Sequence, residues 1–246
     1  MKIFNKIETI EPFPAIKINS LDLIAIADLH LGYETAAAEQ GIFIPKIQYK
    51  KTIQNINKIL SEKKAKRILI NGDIKHEFTE TKYHEYKEVD NLLKYLQKRF
   101  EEIIIIKGNH DTFISRITKK YDNIKLQDTF HEKDILFIHG HQNIEIKNID
   151  EKIIILGHEH PSIALYTDIG IKEKTKCFLF GKTNSKNVLV MPAFSYFAQG
   201  SDINILPKNE LLSPILKKIN INQMRAIGII ENEKHLLFPK IKNMRD

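Results

Sequence analysis

The sequence predicts an α/β fold, with strands and helices alternating in its first half and closely spaced strands in its second half. Short runs of apolar, mostly β-branched residues recur along the chain, and such runs are typical of buried strands. In the first half these runs alternate with stretches whose apolar residues repeat at helical spacing. In the second half they follow one another with few helical patterns between them, which indicates more antiparallel pairing.

The first half is predicted to alternate regularly between strand and helix. Apolar and polar residues alternate at 15–18, which predicts a short edge strand before the first buried one. Pro45 lies just before the first helical stripe, as is common at helix starts. The predicted order is strand 21–27, helix 46–63, strand 67–71, helix 83–100 and strand 103–106.

The second half is predicted to contain many short strands and two short helices. Helices are expected at 113–119 and, despite Pro214, at 211–218. The chain has no internal repeat, low-complexity tract or linker, so we expect one domain over residues 1–246. The strands are expected near 124–126, 134–138, 153–156, 163–166, 176–179, 188–191 and 224–230.

The composition is that of a soluble globular protein. Hydrophobic residues make up 42% and charged residues 28% of the 246 residues. No apolar run is long enough to span a bilayer, and the amino terminus lacks the pattern of a signal peptide. Cys177 is the only cysteine, which excludes an intrachain disulfide and favours a reducing compartment. We therefore expect a cytoplasmic protein that does not bind membranes.

The net charge of +7 is a weak indication of a polyanionic partner. Only five of the 38 basic residues are arginine, and the lysines are spread among glutamates without forming a block. A nucleic-acid-binding module without catalysis would depend on this charge alone, so the charge does not decide the function.

Polar side chains with metal-binding chemistry follow several of the apolar strands. Asp28 and His30 come after the first buried strand, and the two-residue period of an extended chain places them on one side. In open α/β sheets ligands bind at the carboxyl ends of the strands, so these residues are candidate ligands. The other candidates are Asp73, Asn109, His110, His139, His158 and His160.

The segment 108–111 has two interpretations when it is taken alone. A glycine followed by asparagine is common in turns, so Asn109, His110 and Asp111 would suit a solvated loop. They equally suit a cation site, since Asn109 offers a carbonyl oxygen and His110 a titratable ring. The recurrence of similar clusters at other strand ends favours the metal site.

The candidates form a ligand set of carboxylates, one amide oxygen and imidazoles, without a thiolate. Such a set suits Mn²⁺, Fe²⁺, Zn²⁺ or Ni²⁺ better than Ca²⁺ or Mg²⁺. Eight side chains are too many for one ion. They suit two divalent ions that share a bridging carboxylate, with one residue left for proton transfer.

The order of these blocks resembles the signature of the calcineurin-like metallophosphoesterase superfamily. That signature is Asp-x-His, Gly-Asp, Gly-Asn-His-Asp/Glu, a lone His and Gly-His-x-His, and all five blocks occur in order from Asp28 to His160. Segments 28–34, 72–78, 157–161 and 192–195 are also similar to the small archaeal and bacterial ICC-like branch, which includes DNA-ligase-associated phosphoesterases. The resemblance implies a four-layer α-β-β-α sandwich.

The resemblance also implies three ligands for each of two ions and one carboxylate shared by both. One ion would be bound by Asp28, His30 and His160, and the other by Asn109, His139 and His158. Asp73 would bridge them. We expect two Mn²⁺ ions, with Fe²⁺, Zn²⁺ and Ni²⁺ as alternatives.

Two catalytic residues follow from the same resemblance. His110 would hold no metal and would be free to protonate the leaving-group oxygen. Asp111 would orient His110 or support the centre from behind. Many family members carry an aspartate three residues after the bridging aspartate, where it orients the acidic histidine, but here that residue is His76. The partner of His110 therefore stays open. Lys75 and His76 are candidates for a rim that faces the substrate phosphate, or are solvated loop residues.

These residues predict a metal-dependent phosphodiesterase that attacks a phosphoester in line with a hydroxide held between the two ions. A phosphomonoesterase is the alternative, although it often adds arginines to hold a dianionic phosphoryl group and no arginine lies in a motif block. A further alternative is a scaffold that has lost catalysis, although His110 and every expected ligand are present. The expected partner is a phosphoester substrate, nucleotides and nucleic acids included. The oligomeric state is not predicted.

Overall fold

A computed structural model of the chain describes residues 1–78, 82–183, 185–230 and 233–245, and two β-sheets dominate these residues. The strands of the first sheet, in order across it, are β1 (Lys2–Ile3), β2 (Ile7–Thr9), β3 (Ile16–Ile18), β4 (Leu23–Ile26), β5 (Arg67–Asn71), β6 (Glu102–Ile106) and β7 (Ile124–Gln127). Neighbouring strands from β1 to β4 pair antiparallel, and those from β4 to β7 pair parallel. The predicted edge strand is therefore internal, because β3 pairs with both β2 and β4.

The second sheet is mixed. Its strands, in chain order, are β8 (Thr129–Glu132), β9 (Ile135–Ile138), β10 (Ile153–Leu156), β11 (Pro161–Tyr166), β12 (Lys172–Thr183), β13 (Lys186–Val190), β14 (Ser201–Asp202), β15 (Arg225–Ile229) and β16 (His235–Lys240). Their order across the sheet is β14-β11-β12-β13-β10-β9-β8, and β15 pairs with β12 and β16. β9, β10 and β13 are parallel neighbours, whereas β12 pairs antiparallel with β11, β13 and β15.

All four α-helices of the described residues precede β7. They are α1 (Tyr33–Glu39), α2 (Gln48–Glu62), α3 (Tyr83–Gln97) and α4 (Ser115–Thr118). The two long predicted helices correspond to α2 and α3, and the predicted helix 113–119 is reduced to one turn in α4. The predicted helix 211–218 is wrong, because this segment forms turns. The N–H groups of Leu212 and Ser213 donate to the Glu159 carboxylate, and Pro214 has no N–H to offer.

The alternation of side chains along the central strands builds three apolar layers. Ile103 and Ile105 of β6 face α2 and α3, whereas Ile104 and Ile106 face the second sheet. In β9, Phe137 points to the first sheet, and its neighbours point to the opposite face. That opposite face is covered by loops and by short 3-10 turns at Ile146–Asn148, Ile221–Gln223 and Ile241–Asn243.

The predicted α/β sandwich is therefore confirmed, with one difference in its fourth layer. Helices cover the first sheet, but 3-10 turns and loops, with no α-helix among the described residues, cover the second. None of the described helices is both long and apolar enough to cross a lipid bilayer.

Candidate metal centre

The predicted ligands lie where parallel strands of both sheets end. Asp28, Asp73 and Asn109 follow β4, β5 and β6, which are adjacent in the first sheet. His139 and His158 follow β9 and β10, which are adjacent in the second. Because the two sheets pack face to face, these strand ends meet at one edge of the sandwich.

One cluster contains two carboxylates and two imidazoles. Ligand atoms of Asp28, His30, Asp73 and His160 all lie within 4.8 Å of one another. The Nε2 atom of His160 is 3.2 Å from Asp28 Oδ1 and 3.3 Å from His30 Nε2. His30 Nε2 is 3.9 Å from Asp73 Oδ2. This is the set that the family resemblance implies for one ion, together with the carboxylate that it implies as the bridge.

A second cluster shares Asp73 with the first. Ligand atoms of Asp73, His139 and His158 lie within 4.8 Å of one another, and His139 Nε2 is 3.2 Å from Asp73 Oδ2. Asn109 is next to His110, whose backbone N–H donates to Asp73 Oδ1 at 3.0 Å. Asp73 is therefore the carboxylate that lies between the two groups of candidate ligands.

Buried atoms without a hydrogen bond suggest that this arrangement fits cations. Asn109 Oδ1 is buried and has no hydrogen-bond partner among the described residues, and His139 Nε2 is buried with only its ionic contact to Asp73 Oδ2 at 3.2 Å. Such atoms are costly unless something satisfies them, and a bound cation would do so. The other ring nitrogen of His139, Nδ1, donates to the Asn71 carbonyl oxygen at 2.9 Å, which directs Nε2 towards Asp73. The mixed oxygen and nitrogen donors suit a first-row divalent metal ion.

The backbone is left-handed at five of the seven predicted metal ligands, a conformation that residues other than glycine rarely adopt. Asp28 and His30 have φ of 56° and 48°, so left-handed turns bring them together and the predicted two-residue period of a strand does not. The φ angle is also positive at Asp73, His158 and His160. Each such residue costs about 1 kcal/mol or more, and strain of this kind persists where the surrounding structure enforces it, as at functional sites.

Two glycines allow the loops to approach one another. A Cβ atom on Gly108 would lie 2.0 Å from Asp73 Oδ1, and one on Gly72 would lie 2.1 Å from His139 Nδ1. Gly72 also has a φ of +81°. The glycines that precede Asp73 and Asn109 in the motifs are therefore required by close contact around Asp73.

The carboxylate of Asp73 is held ionised by its neighbours. Burial would raise its pKa, but the imidazolium of His139, 3.2 Å away, outweighs that effect and holds the pKa well below its usual range. Burial would lower the pKa of His139, but Asp73, Asp28 and the Asn71 carbonyl raise it to about 9. The two residues thus form a buried ion pair when no metal is bound.

Two of the other candidate ligands, His30 and His158, are held neutral. Burial, assisted by His160, lowers the pKa of His30 to about 3. Burial, assisted by His139, lowers the pKa of His158 to about 4. A neutral imidazole is the form that binds a metal ion.

His110 lies beside the clusters with one ring nitrogen directed at them. Its Nδ1–H donates to the backbone carbonyl oxygen of His76, and its Nε2 is 3.8 Å from Asp73 Oδ2. The Phe78 ring packs on the His110 ring with 3.6 Å between centroids. The partner of His110 that the sequence left open is therefore a main-chain carbonyl.

Among the described residues, no hydrogen bond joins the Asp111 carboxylate to the ring of His110. This carboxylate accepts from the backbone N–H groups of Ile74 and Gly108, both at 2.9 Å, and from that of Lys75 at 3.4 Å. Of the two roles predicted for Asp111, these contacts favour support of the centre over orientation of His110, because both oxygens of Asp111 join the loops after β5 and β6. Burial, followed by the charge of Asp73, raises the pKa of Asp111 to about 6.

The predicted phosphate-facing rim is wrong for Lys75. This side chain is completely buried, with Nζ donating to the Glu77 carbonyl and lying 4.0 Å from the Glu85 carboxylate. His76, in contrast, lies at the centre, with Nδ1 3.4 Å from Nδ1 of His30. His30, His76 and His110 bring their nitrogens within 4.8 Å of one another.

An open cleft of about 410 Å³ lies over these histidines. It is lined by His30, His76, His110 and His160, by Tyr33 and Phe197, and by Ala198 and Gln199. No lysine or arginine of the described residues lines it. Residues 197–199, which line one side of the cleft, belong to the segment that follows β13. This segment is held at the cleft because the N–H of Ser195 donates to the Asp28 carbonyl oxygen at 3.0 Å. The role of the 192–195 block, which its sequence leaves open, is to pack against the end of β4.

Two supporting residues have no sequence signal of their own. The Gln48 side chain of α2 donates to the Leu29 carbonyl at 2.5 Å and accepts from the Tyr196 N–H at 2.8 Å. Glu159 lies between two candidate ligands, yet its carboxylate faces away from them and accepts from the backbone of Leu212 and Ser213. Their functions depend on tertiary contacts with segments far away in sequence.

Comparison with known proteins gives one family and a similar fold. The family model described as calcineurin-like phosphoesterase matches residues 21–189. The crystal structure of Pseudomonas putida nuclease MPE has a TM-score of 0.63 and 19% sequence identity, and the match covers 93% of this chain and 95% of that chain. The phosphoesterase YfcE of E. coli has a TM-score of 0.38 and 13% identity, covering 83% of this chain and 87% of that chain.

The similarity to nuclease MPE establishes the fold alone, because the sequence identity is below 25%. The TM-score of YfcE is too low to support a conclusion about this chain. No curated protein matches the sequence. The family match is the stronger finding, since it spans most of the chain and includes every candidate ligand from Asp28 to His160.

Proposed function

The chain belongs to the calcineurin-like phosphoesterase family and is a hydrolase of phosphoester bonds, and from that premise we propose that it is a phosphodiesterase with two divalent metal ions. The observation that carries the proposal is the position of Asp73 between two groups of ligands, beside an imidazole that neither group needs. We propose Asp28, His30 and His160 as ligands of one ion, and Asn109, His139 and His158 as ligands of the other. Asp73 would bridge them.

Two bound divalent ions would supply an activated water and would stabilise negative charge on the phosphoryl oxygens. The chain's own residues hold and orient the reacting groups. His139 is oriented by its bond to the Asn71 carbonyl, and Asp73 is held by the N–H of His110. His110, with Nδ1 bonded to the His76 carbonyl, keeps Nε2 directed at the cleft, where it would give a proton to the leaving oxygen.

A diester suits this cleft better than a monoester. A monoester carries a dianionic phosphoryl group, which is commonly held by lysine or arginine as well as metal ions. The lining residues of the cleft include neither. Lys75, which could have supplied a charge, is buried against Glu77 and Glu85.

We propose a nucleic acid or nucleotide as the substrate, and Mn²⁺ as the metal in a cytoplasmic enzyme. The net charge of +7 and a similar structure that is a nuclease are compatible with a polyanionic substrate. The donor set suits Mn²⁺ among several first-row ions. Binding of nucleic acid should weaken steeply with ionic strength if several phosphates are contacted, and a flat response would indicate a compact diester.

The test compares kcat/KM for bis-nitrophenyl phosphate and nitrophenyl phosphate with saturating Mn²⁺ near neutral pH. The proposal predicts a higher value for the diester. Protein stripped with a chelator should be inactive on both and recover when Mn²⁺ is added. A clear preference for the monoester would refute the diesterase assignment, and activity that survives chelation would refute the metal centre.

A further inference from the structure

Five aromatic rings form a continuous row beside the candidate centre. The distances between successive ring centroids are 5.5 Å for Phe197 and Tyr33, 4.8 Å for Tyr33 and His76, 5.6 Å for His76 and His110, and 3.6 Å for His110 and Phe78. The two histidines occupy the middle of the row, next to the candidate ligands. The three carbocyclic rings at its ends contribute nothing to metal binding, so their positions need another explanation.

The ends of the row are accessible from solvent. The Phe78 side chain is 52% exposed although one side of its ring covers His110. Tyr33 and Phe197 are half-buried, line the cleft, and are within 15° of parallel. Exposed apolar surface next to a reactive centre commonly marks a binding site.

A cation lies beyond each end of the row. Lys51 Nζ is 5.4 Å from the ring of Tyr196, which contacts Phe197 at 5.3 Å. At the Phe78 end the Arg116 guanidinium is 4.6 Å from the Phe113 ring. Thr112, the residue before Phe113, donates its hydroxyl to the Phe78 carbonyl oxygen and so keeps this segment beside Phe78. Rings that stack on bases, with cations near them for phosphates, are typical of surfaces that bind single-stranded nucleic acid.

We propose that the two ends of this row are stacking subsites for unpaired nucleobases on either side of the scissile phosphate. Phe78 takes the base on the leaving-group side, because its ring packs on His110, the residue that would protonate the leaving oxygen. Tyr33 and Phe197 take the base on the other side. The inference rests on the proposed phosphodiesterase function and adds the bases as a second recognition element. Paired bases do not expose their faces, so the substrate must be single-stranded or locally opened.

The test is a double-mutant cycle in which a ring is removed from the protein and a base is removed from the substrate, singly and together. The substrate is a short single-stranded oligonucleotide with one phosphodiester among methylphosphonate linkages, with a base or an abasic site on either side of it. Phe197→Leu and Phe78→Leu keep apolar volume and remove the flat ring. Tyr166→Leu is the control, because Tyr166 is 60% exposed and lies on the β11–β12 hairpin away from the cleft.

Each ring variant should lower kcat/KM roughly tenfold for the complete substrate, the usual effect of losing one base–aromatic stack. The same variant should have little effect on the substrate that lacks the base proposed to stack on that ring, because removing the ring and removing the base abolish the same interaction. Tyr166→Leu should behave as wild type throughout. A loss of equal size on the abasic substrate would show that the ring only supports the fold, and no loss at all would equally overturn the subsites.

A binding measurement separates this inference from the proposed function. An oligonucleotide with 2-aminopurine next to the phosphodiester is mixed rapidly with the Mn²⁺-loaded protein, and its fluorescence is recorded before the first turnover. Stacking quenches it, so quenching that is reduced in Phe197→Leu or Phe78→Leu supports the subsites even if no diester is hydrolysed. Quenching that is the same in the variants as in wild type overturns them even if hydrolysis is fast.

Discussion

At the scale of single residues, backbone atoms position the side chains that would perform the chemistry. The rings of His110 and His139 are each held by a carbonyl oxygen, and the carboxylate of Asp111 is held by three N–H groups. A backbone partner has no residue type of its own. The candidate ligands could therefore be selected from their residue types and order, whereas the partner of His110 and the place of Asp111 could not be predicted.

Replacing His110 should separate catalysis from metal binding. We expect His110→Ala to retain its metal content, because the ring is surplus to both ligand clusters, and to slow the chemical step by roughly 10²–10⁴-fold. The loss should be smaller for nitrophenyl esters than for alkyl diesters, since a good leaving group needs less protonation. Steady-state rates on both kinds of ester, with metal analysis, check this.

The exposed histidine His131 offers the matched control for this prediction, and His131→Ala should match wild type. An equal loss on good and poor leaving groups would count against His110 as the proton donor. Loss of bound metal in His110→Ala would instead make it a ligand.

At the scale of elements, the strands that carry the ligands were the most predictable part of the fold. β5 and β10 have the predicted bounds, and the ends of β4, β6 and β9 differ from prediction by one or two residues, since continuous apolar runs favour buried strands. α1 was not predicted, because three of its seven residues are alanines that give no apolar stripe. Lys75 was misplaced because its charge suggested exposure, whereas the Glu85 and Glu77 groups that bury it come from tertiary and local contacts.

Glu159 connects two elements that the sequence does not relate. It lies between His158 and His160, and its carboxylate binds the backbone of the 211–218 segment. Glu159→Gln replaces one acceptor oxygen with a donor that faces N–H groups. We expect it to lower the free energy of unfolding by about 2 kcal/mol, as for hydrogen bonds to a charged group. Glu159→Gln should also weaken metal binding, because the loop that carries His158 and His160 loses its contact with residues 212 and 213.

Urea unfolding and metal titration of this variant provide the measurement. Glu210→Gln is the control, since Glu210 is exposed at the start of the same region. Unchanged stability and unchanged metal affinity in Glu159→Gln would show that the two segments are held together by apolar packing alone.

At the scale of the whole molecule, the chain's two ends join the two sheets. His235 of β16 is buried and its Nδ1 is 2.9 Å from the Thr9 hydroxyl of β2. Burial lowers the pKa of His235 to about 4, against an ordinary value of 6.5. Above pH 6.5 the ring is neutral in both the folded and the unfolded chain. Between pH 6.5 and 4 only the unfolded chain gains the proton, so stability falls with falling pH.

His235→Gln removes this titration and keeps a hydrogen-bonding side chain. The wild type should lose about 2 kcal/mol of unfolding free energy relative to the variant between pH 7.5 and pH 5. Urea unfolding of both proteins at the two pH values measures it, and the subtraction cancels groups that titrate in both. If the unfolding free energies of the two proteins differ by the same amount at both pH values, the pKa of His235 is the same in the folded and the unfolded chain, which contradicts the prediction.

The candidate metal centre is a second connection between the sheets. In the proposed arrangement each ion is bound by residues that follow strands of the first sheet and by residues that follow strands of the second. Asp73 alone belongs to both sets. The ions would therefore stabilise the sandwich as well as supply its chemistry, and Asp73 is the residue on which the whole account depends.

The most direct test is the metal content of Asp73→Asn after loading with Mn²⁺ and dialysis. Asp202→Asn is the matched control, because Asp202 is a buried aspartate that binds Ser162 and Lys172 away from the cleft. The account predicts two ions per chain in wild type and in Asp202→Asn, and reduced occupancy of both sites in Asp73→Asn. Two ions still bound to Asp73→Asn at wild-type affinity would contradict it.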